Sequence, residues 1–247
     1  MNYIKNLPLI IAFLIIIPNF IYAGESKNEN LNKQITQSYK ALYNFNFNTS
    51  KEIIDSLNVN YEKTIDILIL TINYRWWKII SEDTEYNRKN FLFSLESLKN
   101  KMTYFSEEKK KILLVYYLTY YCRYHLMYNN YLKVLIHYPK FDKLIKKIET
   151  EGTSHQEEIE LIKNFYLYLK YRHISLNPEK KNHYLKKIKN AAKSQNLIVK
   201  TESNYLLMKI YAEIEDSPKK AKNHHIFLLS KYPNNWVFNS FSNIENN

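Results

Sequence analysis

Few residues of this 247-residue chain have both the type and the spacing that chemistry demands. Trp76 and Trp77 are adjacent, so on a helix they point about 100° apart. As a pair they could anchor a partner in a groove, because tryptophan offers a large area and is enriched at binding hot spots. Packing between helices fits the apolar stripe around them equally well. The stretch from Ile112 to Tyr131 is apolar or aromatic nearly all round, the pattern of a central helix. Its tyrosines, Tyr120 and Tyr124 among them, could instead line a groove that stacks on sugars or peptide prolines. Lysines cluster at 109–111, 140–147, 180–189 and 219–222. In the third cluster Tyr184, Leu185 and Ile188 define an inner face, which leaves Lys181 and Lys187 outside. Such a basic amphipathic helix suits an anionic lipid or polymer surface, or simply a solvated outer face.

Catalytic and metal-binding patterns are scarce. Seven histidines are scattered, and the adjacent pair His224-His225 diverges on a helix instead of chelating as an i, i+4 pair would. There is no H-E-x-x-H and no Cys/His cluster, so neither a metal nor a cofactor is expected. Cys122, the single cysteine, lies in an apolar run and reads as a buried, inert thiol. Two glycines exclude a Rossmann fingerprint, a P-loop and a nucleophile elbow, each of which needs several close together. No Ser/His/Asp triad can be named from sequence order. Lys and Arg number 36 against 24 Asp and Glu, a formal +12 that attracts anions non-specifically.

These side chains must be positioned by helices. Residues 1–23 have the layout of a secretory signal peptide: Lys5, an apolar stretch from Leu7 to Ile17, and Ile21-Tyr22-Ala23 before Gly24. Export to the periplasm or the cell exterior follows, and it removes nucleic acid as the usual partner of a basic chain. After a flexible segment at 24–30, one domain over 31–240 is expected, with a frayed tail at 241–247. Periodicity of 3.6 residues predicts helices at Leu31–Tyr43, from Thr49, at Tyr61–Ser81, at Thr84–Lys101 and at Glu107–Asn129. Pro139 is expected to divide Asn130–Tyr138 from Lys140–Thr150. Thr49-Ser50-Lys51-Glu52 and Ser154-His155-Gln156-Glu157 have the form of capping boxes. Asn177-Pro178 and Ser217-Pro218 place a capping side chain before proline at the first helical position, and Leu197–Ile214 is a further helix between them. Helix starts recur about every 20 residues, so helix pairs recur at about 40, a solenoid-like period.

Tyr205, Met208, Ala221, Pro233 and the run Lys231-Tyr232-Pro233-Asn234-Asn235 resemble a tetratricopeptide (TPR) repeat. Tyr39 to Phe47, followed by Ile53, Ile54 and Leu57, is similar to a degenerate second copy. Tyr74-Arg75-Trp76-Trp77-Lys78-Ile79-Ile80 is similar to segments of exported bacterial TPR-like proteins. The resemblance implies an all-α fold, an irregular α-α superhelix of about 9–10 antiparallel helices. It also implies a scaffold that binds a peptide or protein in a groove without catalysis. Glu202-Ser203-Asn204-Tyr205 resembles the Glu-Ser opening of lytic transglycosylases, but their glycine-rich partner motifs are missing, and Glu202 reads as an exposed helical carboxylate. The expectation is therefore a non-enzymatic scaffold for a cell-envelope protein or peptide, with Trp76, Trp77, Tyr120, Tyr124, Lys181 and Lys187 as contact residues. The alternative is attachment to anionic membrane or polysaccharide through lysine faces; a degenerate cell-wall enzyme comes third.

Overall fold

The computed structural model describes residues 27–61, 64–148, 153 and 155–240; the leader at 1–23, Ser154 and the tail at 241–247 lie outside them. The described residues are helical throughout, without a strand. In chain order the helices are α1 (Lys27–Tyr43), α2 (Phe47–Asn60), α3 (Ile65–Ser81), α4 (Glu85–Lys101), α5 (Glu107–Met127) and α6 (Tyr131–Lys147). They continue with α7 (Gln156–His173), α8 (Pro178–Ala191), α9 (Leu197–Lys209), α10 (Pro218–Lys231) and the short α11 (Trp236–Asn239). Among the described residues that makes eleven, one above the upper end of the expected 9–10, the last being the single turn of α11.

Local chemistry explains most boundaries. The hydroxyls of Thr64 and Thr84 accept the N–H groups of Ile67 at 3.3 Å and Asn87 at 3.2 Å, capping α3 and α4. Asn177 accepts the Lys180 N–H at 2.9 Å with Pro178 in the first turn, as the sequence predicts. Asn196 caps α9 in the same way. Other expectations are corrected. Helix α1 begins at Lys27, inside the segment expected to be flexible. Thr49 does not open a capping box: α2 starts earlier, where Phe45 and Phe47 stack at 5.1 Å and the buried Ser50 hydroxyl meets that of Ser38 at 2.9 Å. Glu157 does not turn back on its own helix but accepts the Ser194 hydroxyl. The Ser217 hydroxyl donates to the Glu215 carbonyl at 3.2 Å and caps nothing. Helix α6 runs unbroken through Pro139, because Leu135, whose carbonyl loses its N–H partner there, lies on the solvent side. The last turn of the α9 stretch widens into a π-helix at Ile210–Ile214.

With so few glycines, the turns within hairpins use other residues in left-handed backbone: Phe45 (φ 59°), Asn129 (56°), Leu176 (44°) and Asp216 (45°). They join α1 to α2, α5 to α6, α7 to α8 and the π-helical extension of α9 to α10.

The helices form two layers. Helices α1, α3, α5, α7 and α9 pack against one another in succession, and α2, α4, α6, α8 and α10 each back onto the helix before them. The chain's last described residues then return to its first. Helix α11 packs on α3, the Asn235 amide donates to the Tyr43 carbonyl at 2.8 Å, and the Asn234 N–H donates to the Asn44 side chain at 3.1 Å. The apolar core follows this arrangement. Its larger part runs through α1 to α6 and takes in Met208, Leu228, Tyr232 and Phe238 from the C-terminal hairpin. A smaller part joins α7 to α10.

Candidate functional site

Each helix of the inner layer contributes a polar side chain to the interior of that layer. Tyr39 and Tyr43 come from α1, Asn73 from α3, Tyr116 and Tyr120 from α5, Glu158 from α7 and Glu202 from α9; all are buried. Groups inside a protein need partners, and these find one another. The Tyr120 hydroxyl donates to the Asn73 side-chain oxygen Oδ1, and the Asn73 side-chain amide donates to the Tyr39 hydroxyl at 3.1 Å. Tyr43 donates to Glu202 at 3.1 Å, and Tyr116 donates to Glu158 at 2.5 Å.

The two carboxyls open into one pocket with about 540 Å³ of empty space, its solvent mouth included. The polar lining is Asn73, Tyr116, Thr119, Tyr120, Arg123, Glu158 and Glu202. The apolar lining is Leu161, Ile162 and Phe165 of α7, which also carries Glu158, with Ile198, Val199 and Leu206 of α9, which also carries Glu202. Helical spacing produces this lining: Tyr116, Thr119, Tyr120 and Arg123 share one face of α5, and Glu158, Leu161, Ile162 and Phe165 share one face of α7. The Thr119 hydroxyl is buried without a hydrogen-bond partner. The Arg123 guanidinium sits 5.4 Å from the Tyr120 ring centroid.

Burial pushes the pKa of both carboxyls up. For Glu202, desolvation outweighs the Arg123 charge and the Tyr43 hydrogen bond, which favour ionisation. For Glu158, desolvation dominates and the charges of Asp66 and Glu202 add to it, against the opposing pull of His155 and the Tyr116 hydroxyl. Behind Glu158 lies a second pair. His155 Nε2 is 3.3 Å from Asp66 Oδ1, and His155 Nδ1 is 4.0 Å from Glu158 Oε1. Burial works against the imidazolium, but the two carboxylates outweigh it and raise its pKa. Asp66, raised by burial and lowered more by His155, ends below the usual carboxylate range.

The residues singled out by sequence fall in different places. Trp76, Tyr120 and Tyr124 gather around Phe91 of α4, with ring centroids 5.7, 6.4 and 5.4 Å from it. Of these, Tyr120 alone also reaches the pocket wall. Trp77 is 2% exposed, enclosed by Tyr43, Phe45, Tyr205 and Phe238, and so presents no surface. Lys181 is not on a free outer face: it pairs with Glu215 at 3.1 Å beneath the Tyr168 hydroxyl. Lys187 is exposed and stands 5.7 Å from the Tyr184 ring. The two lysines are on α8, away from the aromatic group.

Cys122 is half-buried, and desolvation pushes its thiol up to about 11, consistent with low reactivity. Among the described residues no group of three His, Cys, Asp or Glu side chains is placed to hold a metal. Sequence reading missed Glu158 and Glu202 as site residues, and took Glu202 for an exposed carboxylate. The signal was present: Val199, Glu202 and Leu206, like Glu158, Leu161 and Phe165, follow a 3-then-4 spacing that puts the acid on the apolar face.

No family model, no curated protein and no solved structure matches this chain.

Proposed function

We propose that this chain is a binding module, not a catalyst, and that its paired helices form a TPR-like α-α superhelix. In this reading the inner-layer pocket receives an amine-bearing segment of a peptide or protein. The observation that carries the reading is the pair Glu158 and Glu202: two buried carboxyls from two helices, lining one pocket, each accepting a tyrosine hydroxyl. Burial disfavours the charge of both carboxyls despite the nearby Arg123 and His155, and an entering ammonium would add a further counter-charge. The apolar lining would take the aliphatic stem or a neighbouring side chain. Residues 1–23 act in this reading as a removable leader, and the partner is a cell-envelope protein; N-terminal sequencing of exported chain checks for cleavage after Ala23.

Calorimetry with short lysine-containing peptides, amines free or acetylated, tests the pocket. Free amines should bind, and Glu158→Gln or Glu202→Gln should weaken binding by roughly ten-fold or more. Equal binding of acetylated peptides would overturn the reading.

One observation favours a second reading. Glu202 is buried, its pKa is raised by desolvation, and it lines one pocket with Glu158, a setting that favours a protonated acid of the kind glycosidic cleavage uses. Release of soluble fragments from purified cell wall, abolished by Glu202→Gln, would establish that activity.

A further inference from the structure

Helix α6 is the outer-layer helix with the least cover. It packs closely on α5, and α7 reaches it mainly through Tyr166 and Lys170, which meet Asp142 at 2.7 Å each. Its inward face is ordinary: Phe141 and Ile145 are buried. Its outward face is mainly apolar in its first half and basic in its second. The first two turns expose Tyr131 (57%), Leu132 (78%), Leu135 (62%) and Ile136 (74%), with Lys133 among them, and Leu126 and Met127 are exposed at the end of α5. The last two turns expose Lys140, Lys143, Lys146 and Lys147. Asp142, the sole acid of the helix, is already engaged by Lys146, Lys170 and Tyr166.

Isolated exposed apolar residues need no explanation, but a contiguous group marks a contact surface. We infer that the α5–α6 corner docks on an anionic lipid bilayer, its leucines and isoleucine entering the acyl boundary while the lysines of the following turns meet the headgroups. The arrangement of charge selects this occupant. A second copy of the chain would bring together two molecules each at +12, which repel. An anionic bilayer offers apolar depth directly beneath negative charge, the complement of this face. Attachment would be peripheral, since no helix among the described residues is long and apolar enough to cross a membrane.

The test is co-sedimentation of the full chain with phosphatidylglycerol-rich or pure phosphatidylcholine vesicles. Partitioning should favour the anionic vesicles and fall as salt is raised from about 0.1 M to about 0.5 M. Leu132→Ser with Ile136→Ser, both on the surface, should reduce partitioning at least about ten-fold. Lys180→Gln with Lys187→Gln on α8 should leave it within about two-fold, because that face lacks the apolar half. A Leu135→Trp chain should gain emission that brominated anionic lipid quenches. Unchanged partitioning of the Leu132/Ile136 variant, or no quenching at position 135, would overturn the inference. So would concentration-dependent self-association that the Leu132/Ile136 variant abolishes, since a second copy would then be the occupant.

Discussion

Burial favours the protonated form of Glu202, so this residue makes stability depend on pH in a definite direction. Its folded pKa lies above the unfolded value of about 4.3, so its contribution is complete below that value and is lost as pH rises through the folded one. Glutamine keeps the shape and the hydrogen bonding without the titration. Glu202→Gln should therefore match the parent in urea midpoint near pH 4 and exceed it increasingly toward pH 8. A gap independent of pH would place the carboxylate in a well-solvated setting after all. The reason Glu202 escapes a reading of the sequence is physical. Its helix partners mark an apolar face, but its burial depends on Tyr43, which lies 159 positions earlier and is brought over it only by the tertiary fold. Trp77 fails in the opposite sense: a residue type suited to binding is consumed by packing among four aromatic neighbours.

At the level of elements, the helices themselves were legible, because 3.6-residue periodicity and caps such as Thr84 and Asn177 are local properties. Capping boxes proved less legible. Thr49 and Ser217 have the correct residue types, but contacts from elsewhere or nearby turn chemistry claimed the helix starts. Pro139 misled because a helix can continue through a proline where the freed carbonyl, here that of Leu135, lies on the solvent side. The turns carry a cost that can be measured. Leu176 holds φ at 44° with its side chain largely in solvent, a conformation that is unfavourable by about 1–2 kcal/mol for a residue with a Cβ. Leu176→Gly should stabilise the chain by up to about 1 kcal/mol, the glycine's greater freedom when unfolded offsetting part of the relief. Chemical denaturation decides the sign, and destabilisation would mean that Leu176 makes packing contacts that outweigh its backbone strain.

At the scale of the molecule, helix pairing and the absence of strands among the described residues followed from composition and periodicity, but the contact between the first and last hairpins did not. Asn235 holds that contact: it is fully buried, donating to the Tyr43 carbonyl and accepting the Phe238 N–H at 3.2 Å. In an open array of repeats, each unit responds mainly to its neighbours. Here Asn235→Ala should cost about 1–3 kcal/mol and lower hydrogen-exchange protection in α1 together with α10. Loss confined to α10 and α11 would show that the ends are independent. The same clasp means that chain order is nearly interchangeable in this architecture. The end of α1 already touches the start of α11, and its beginning is one helix length away, about 25 Å for 17 residues. A linker of roughly ten residues from position 240 back to 27 would span that distance, and new termini could be cut in the solvent-facing turn at 174–177. Such a circular permutant should retain the helical content and the inner-layer pocket, with α8 as its new beginning and α7 as its end.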